Sequence, residues 1–179
     1  MKFAAILLAT ALLPLAAQEI QIPASLDKLA EKADETVSVT LDGSLLKLAG
    51  RFLSGHGEDA NAQKIAAGLE SIMVRSFEFS RDGQYDKADV EAIRSQVKAP
   101  QWSRIIGVTS RKDGENVDVY FKDGGNGDLG GVVLLVEEPR ELTIISVVGK
   151  IDPSQLASIG GHFGIPELDI AMGGMGGGK

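Results

Sequence analysis

The feature of this sequence that most constrains its fold is a series of four apolar segments that begins at Trp102 and ends at Ile151. In the second segment Val117, Val119 and Phe121 alternate with polar residues, as in a strand with one buried face. The last two segments are apolar at almost every position, which is typical of strands covered on both faces. Short turns separate the segments, so we predict an antiparallel meander over residues 102–110, 116–121, 131–138 and 141–151.

The residues before this meander carry helix signals. Ser25, Asp42 and Asp86 each precede apolar residues at helical spacing, and each can cap a helix N-terminus. Further helices are expected from Asp59 to about Gly68 and, as a short last helix, from Asp152 onward, with Pro153 at its first position. Shorter alternating stretches at residues 36–41 and 72–79 indicate strands. We therefore expect an α+β fold: a mostly antiparallel sheet made of one strand, a helix and then the four-strand meander, with helices packed on one face and a helical N-terminal half before it.

The first residues have the pattern of a secretory signal peptide. Lys2 supplies a positive charge, residues 3–15 form an apolar segment, and Ala16 and Ala17 are small residues before a polar one. A membrane span takes about 20 apolar residues, so an uncleaved anchor is the alternative interpretation. We expect cleavage after Ala17, a periplasmic or secreted protein without a membrane span, and a mature chain with a linker (18–24), one α+β domain (25–170) and a disordered glycine-rich tail (171–179).

Charge and cysteine content narrow the classes of partner. The net charge is −7, and the basic residues are scattered, whereas nucleic-acid binding depends on clustered lysine and arginine. Anionic membrane surfaces would repel such a chain as well. The absence of cysteine excludes disulfides, thiol nucleophiles and the lipid-modified cysteine of bacterial lipoproteins. We expect no nucleic-acid partner.

No catalytic residue, metal ligand or cofactor site is predicted. His56 and His162 lie in glycine-flanked turns without the spacing of a paired metal site, and no serine lies in a G-x-S-x-G motif. The acidic loops at residues 82–86 and 123–128 depart from a calcium-binding loop and are explained by turn chemistry. Glu137 and Glu138 are adjacent on a strand, so their side chains should point to opposite faces.

Three residues stand out as candidates for a binding surface. An exposed aromatic side chain together with arginine is the composition of many interaction hot spots. The chain has one tryptophan, Trp102, followed closely by Arg104, and a further arginine, Arg140, in a turn between two strands. The alternative is that Trp102 belongs to the core.

Parts of the sequence resemble a known family. The stretches VRSFEFSRDGQYDKADVEAIRSQVKAPQWSRIIGV, EPRELTIISVVGKID and GGHFGIPEL resemble exported bacterial proteins catalogued as domain of unknown function 4252, and the similarity covers most of residues 25–170. The resemblance implies a small secreted or periplasmic domain, with some relatives associated with extracytoplasmic sigma-factor and anti-sigma signalling. It brings no catalytic residues. Relatives often carry a lipoprotein cysteine, which this chain lacks, so membrane tethering does not follow.

Together these observations favour a non-enzymatic periplasmic interaction or binding module, linked to envelope or sigma-factor signalling and partnered by a protein of the cell envelope. Two alternatives remain open at this point. One is a hydrolase that uses paired carboxylates on envelope polymers. The other is a small-ligand or calcium-binding protein.

Overall fold

The computed structural model of the chain describes residues 20–54 and 67–152. Several predictions lie outside these residues: the signal peptide, the cleavage site after Ala17, most of a third helix starting near Asp59, a last helix after Asp152, the glycine-rich tail, and both histidines.

The described residues form one six-stranded antiparallel sheet. Its strands follow the chain in the order β1 (Glu35–Asp42), β2 (Leu69–Glu78), β3 (Trp102–Ser110), β4 (Glu115–Asp123), β5 (Leu129–Glu137) and β6 (Glu141–Ile151). Their order across the sheet is β1-β2-β6-β5-β4-β3. The four-strand meander is therefore confirmed, and its last strand, β6, pairs with both β5 and β2 in the middle of the sheet.

The helices of the described residues are short. They are α1 (Ala24–Asp27), which continues into a 3-10 turn (Lys28–Glu31), α2 (Gly43–Ser54) and α3 (Lys87–Arg94). Two predicted caps are confirmed: the Asp42 carboxylate accepts from the Ser44 and Leu45 N–H groups, each at 2.9 Å, and the Asp86 carboxylate accepts from the Ala88 N–H at 2.8 Å. No helix in the described part of the chain is long and apolar enough to cross a membrane.

The predicted fold class is wrong in two respects. The first half of the chain is not a helical half, because β1 pairs with β2 along the whole of β1, and β2 joins the meander through β6. The helices also do not form a packed layer over one face. Of the helical residues whose burial is described, only Leu26, Leu29, Leu46, Val90 and Ile93 are buried, and Leu46 of α2 lies outside the core cluster. The face of β1 that is shared with buried Phe77 on β2 is polar, with Thr36, Ser38 and Thr40.

The core lies on one face of the sheet, which we call the core face. Val133 and Leu135 on β5 and Leu142 and Ile144 on β6 are fully or almost fully buried there. The short helices and the segments beside them complete the cluster with Ile20, Leu26, Leu29, Val90, Ile93 and Val97. Burial of each such side chain stabilises the fold by about 1.5–3 kcal/mol relative to leaving it exposed.

Candidate functional site

The face of the sheet opposite the core face is the most unusual surface of the molecule. Residues directly opposite each other on antiparallel strands point to the same face, so the strand register defines rows of side chains that cross the sheet. The middle row has an aliphatic residue on all six strands: Val39, Val74, Ile145, Leu134, Val119 and Ile106. We call this surface the aliphatic face.

Two further rows flank the middle one. Towards one end of the strands lie Leu41, Ile72, Val147, Val132, Phe121 and Ser103, and towards the other lie Val37, Ser76, Thr143, Val136, Val117 and Val108. The aliphatic face is thus apolar over nearly its whole area. Its only polar side chains are Ser103 and the pair Ser76 and Thr143, whose hydroxyl oxygens are 2.7 Å apart.

None of the side chains in these three rows is buried. On β5, buried Val133 and Leu135 alternate with half-buried Val132, Leu134 and Val136. At the edges of the sheet the exposure rises, to 41% for Val37 and 48% for Val108. Contiguous apolar patches larger than a few hundred Å² are rare on soluble monomers and mark interaction sites.

A row of five glutamates borders the aliphatic face at one end. Glu35 on β1 is opposite Glu78 on β2, and Glu78 is opposite Glu141 on β6. The Glu138 N–H donates to the Glu141 carbonyl at 2.8 Å, which makes these two residues the closing pair of the β5–β6 hairpin. Since Glu137 pairs with Asn116, the next pair outward joins Glu138 to Glu115 on β4. We call these five residues the glutamate row.

Glu138 experiences the charges of two other members of the row. Partial burial raises the pKa of Glu138, and the negative charges of Glu141 and Glu115 raise this pKa further. None of the five glutamates forms an ion pair within the described residues. No three His, Cys, Asp or Glu side chains in residues 20–54 and 67–152 are grouped so that they could hold a metal ion.

A second polar feature lies on the core face, where an arginine of α3 meets two buried carboxylates. Arg94 donates from Nε to the Asp118 carboxylate at 2.9 Å, and its other nitrogens pair with Glu137 and Glu91. Asp118 and Glu137 are only 3% and 4% exposed. Burial by itself would lower the pKa of Arg94, but the hydrogen bonds that Arg94 donates to Glu91 and Asp118 and the charge of Glu137 raise this pKa overall.

An open cleft of about 310 Å³ lies beside this ion-pair network. It is lined by Glu91, Arg94, Arg104, Asn116, Asp118 and Tyr120. Arg104 donates from Nε to Asp118 Oδ1 at 2.6 Å, so both oxygens of Asp118 accept hydrogen bonds from guanidinium groups. The charged groups of the cleft bind one another. Their ion pairs connect α3 to the strands β3, β4 and β5.

The structure places the three residues of the predicted binding surface in different environments. Trp102 is 5% exposed and belongs to the core cluster, with the Lys122 ammonium 5.8 Å from its ring centroid. Arg104 follows on the same face of β3 and lines the cleft. Arg140 is exposed in the β5–β6 turn, 3.5 Å from Asp82. Trp102 and Arg104 share one face, and Arg140 lies apart from them.

The acidic loops weighed as calcium sites serve the fold locally. Asp86 caps α3, and the Asp123 carboxylate accepts from the Gly125 N–H at 2.8 Å. Asp128 forms an ion pair with Lys150 at 3.0 Å. Each carboxylate already has a partner from the chain.

Sequence reasoning missed the aliphatic face and the glutamate row. The apolar character of both faces of β5 and β6 was visible, but it indicated strands covered on both sides. The five glutamates all stand at strand ends, yet all except Glu138 and Glu141 are far apart in the chain. Only the register of five strands brings them into one line.

Comparison with known proteins gives one match. The profile of the family described as "Domain of unknown function (DUF4252)" matches residues 30–159, which include the whole sheet. The chain belongs to this family. No curated protein and no solved structure matches it. Membership in DUF4252 confirms the resemblance seen in the sequence and assigns neither substrate nor partner.

Proposed function

We propose that this DUF4252 protein is an exported, non-enzymatic interaction module whose aliphatic face docks a protein of the cell envelope. The single observation that carries the proposal is the set of three side-chain rows that cross all six strands without one buried member. An apolar surface of this extent gains free energy when a partner covers it, at about 25 cal/mol for each Å² removed from water.

The core face supports a binding role over a catalytic one. Acid–base hydrolysis needs two carboxyl groups that reach a substrate in one cleft. In the cleft beside α3, both oxygens of Asp118 bind Arg94 and Arg104, and Glu137 binds Arg94. The buried carboxylates are therefore committed to holding elements of the fold together.

Export and a setting in envelope signalling belong to the same proposal. The leader at residues 1–17 has the composition of a signal peptide, and the signalling context comes from the family resemblance. N-terminal sequencing of the protein recovered from cells tests export. A mature chain that begins at Gln18 supports it, and an intact N-terminus on protein from the cytosol contradicts it.

Site-directed photo-crosslinking in living cells tests the docking surface. A photoreactive amino acid is placed at Leu134 or Val119 on the aliphatic face, and at Ser95, which is exposed on the helical side, as the control. We expect both face positions to cross-link one envelope protein that Ser95 does not reach. That protein, once purified, should bind the wild type and bind Leu134→Gln at least about tenfold more weakly.

Three outcomes would overturn docking of a partner. One is the absence of any cross-link from the face. Another is a cross-link within the chain, to residues 153–179. The third is a cross-link to a second copy of the protein, which would make the face a self-association surface.

A further inference from the structure

The glutamate row is an energetically unfavourable arrangement by itself. Like charges directly opposite each other on neighbouring strands destabilise a sheet, and here the same charge is repeated on five adjacent strands. No described cation neutralises these glutamates. A bound partner that carries positive charge would remove the repulsion among the glutamates. The repulsion that destabilises the free protein would therefore favour binding of that partner.

We infer that the partner docks on the aliphatic face as an amphipathic helix, with its apolar side over the three aliphatic rows and lysine or arginine side chains over the glutamate row. The inference rests on the proposed function, because it names the chemistry of the partner for the same surface. The negative charge of the glutamate row requires positive charge on the partner. The aliphatic rows beside it require an apolar surface on the same partner, which makes the partner amphipathic.

The backbone of the sheet favours a helix over an extended peptide. An extended peptide adds to a sheet at an edge, where it pairs with free N–H and C=O groups. The aliphatic face offers side chains alone, so its occupant must satisfy its own backbone groups, as a helix does. Six strands spaced by about 4.8 Å span about 24 Å, which a helix of about 16 residues covers.

The spacing of the row also fits a helix that crosses the strands. Adjacent glutamates in the row are separated by the strand spacing of about 4.8 Å. A helix advances about 5.4 Å in each turn. One basic residue in every turn, on the side of the helix nearest the row, can therefore approach successive glutamates.

A second copy of the chain, its C-terminal residues and an anionic lipid surface all lack the required positive charge. A second copy brings its own glutamate row, and the opposite end of its aliphatic face, from Leu41 to Ser103, has no basic side chain. Residues 153–179 contain Glu167 and Asp169 and no lysine or arginine before Lys179. Anionic lipid surfaces would be repelled by the glutamates.

A synthetic probe tests this chemistry without knowledge of the natural partner. The probe is a fluorescent helical peptide of about 16 residues with leucine on one side and lysine beside it, and the control peptide has glutamate in place of lysine. Both are titrated against the full protein recovered from cells. We expect the lysine peptide to bind at least about tenfold more tightly than the glutamate peptide, with affinity that falls as salt is added.

Variants of the protein separate the two proposals. The double variant Glu138→Gln and Glu141→Gln should weaken binding of the lysine peptide about tenfold, whereas Glu31→Gln, at an exposed glutamate outside the row, should leave binding unchanged. Leu134→Gln should abolish binding. Val108→Gln changes a position that is 48% exposed and tolerates a polar side chain. This variant should weaken binding of the lysine peptide while the protein remains folded.

Equal binding of the two peptides, or wild-type affinity in the double glutamate variant, would overturn the inferred charge of the partner. If Leu134→Gln and Val108→Gln still weakened binding in that case, docking on the aliphatic face would stand. Failure of both peptides to bind would overturn the inferred helix. Unchanged binding in both face variants would instead overturn the aliphatic face as the docking surface.

Discussion

Glu138 and Glu141 face each other across the β5–β6 hairpin: the Glu138 N–H donates to the Glu141 carbonyl at 2.8 Å, which sets two carboxylates side by side at the end of the sheet. Neutralising one of them should therefore stabilise the free protein. We expect Glu138→Gln to raise the free energy of unfolding at pH 7 by about 0.2–1 kcal/mol, the range of cross-strand pair energies. Urea unfolding followed by circular dichroism measures the change.

The pH dependence of this gain follows from the direction of the pKa shift. The pKa of Glu138 is raised in the folded state above its ordinary value of 4.5, so its contribution to stability is fully present below that value and is lost as the pH rises through the folded-state pKa. The advantage of Glu138→Gln should thus be largest at neutral pH and shrink near pH 4. A variant that is less stable than wild type at pH 7 would contradict the repulsion.

Removal of Arg94 should strongly destabilise the fold. Arg94→Met leaves the buried carboxylates of Asp118 and Glu137 without a partner on α3, and breaking a buried ion pair in this way costs about 3–5 kcal/mol. The matched control is Arg140→Gln, because Arg140 is exposed and lies 3.5 Å from exposed Asp82. This variant should lower the free energy of unfolding by less than about 1 kcal/mol. Equal losses in the two variants would contradict a structural role for the network.

A side chain at Gly149 should not fit. Its φ is +142°, and a Cβ atom there would lie 2.5 Å from the Gly68 carbonyl oxygen and 2.6 Å from the Leu69 Cα. We expect Gly149→Ala to cost at least about 3 kcal/mol, from backbone strain and overlap together. Gly83→Ala provides the comparison, since Gly83 has φ +72° with open space around it, and strain alone costs about 1–2 kcal/mol. Thermal melting of both variants measures the loss of stability, which should be larger for Gly149→Ala than for Gly83→Ala.

Both tyrosines of the chain should ionise late in an alkaline titration. Burial, with repulsion from Glu137 and Glu138, raises the pKa of Tyr85 to about 12, and burial with the charge of Asp118 raises the pKa of Tyr120. The stabilisation from the neutral phenols is complete below about pH 10 and is lost as the pH rises through the folded-state values.

Ultraviolet absorbance of tyrosinate follows this titration. The midpoint should fall to about pH 10 when urea unfolds the protein. Tyr85→Phe should remove the component near pH 12 and leave that of Tyr120 in place. A midpoint near pH 10 in the folded wild type would contradict the burial of both rings.

The local elements of the fold could be predicted because their causes are local. Apolar segments separated by turns over residues 102–151 indicated the meander, and the carboxylates of Asp42 and Asp86 indicated helix starts. The N-terminal half could not be assigned correctly, because pairing of β1 with β2 and of β2 with β6 depends on contacts across long stretches of chain. Apolar residues at helical spacing in that region favoured a helical half. The partners of the two strands predicted there could not be identified from the sequence.

The candidate site depends even more on long-range register. Glu137 and Glu138 were expected on opposite faces, and the structure agrees: Glu137 binds Arg94 on the core face, while Glu138 joins the glutamate row. The remaining members of the row could not be chosen from the sequence, since a shift of one residue in any strand pairing would send a side chain to the other face. The binding role of Trp102, Arg104 and Arg140 stays a prediction.

The central position of β6 dictates the order in which this molecule can be completed. Among the strands of residues 20–54 and 67–152, β6 (141–151) is the last to leave the ribosome, and within those residues it alone connects the β1–β2 pair to the β3–β5 meander. Until β6 emerges, the edge of β2 and the edge of β5 that pair with it have no partner strand. The described sheet is therefore complete only once this central strand has been synthesised.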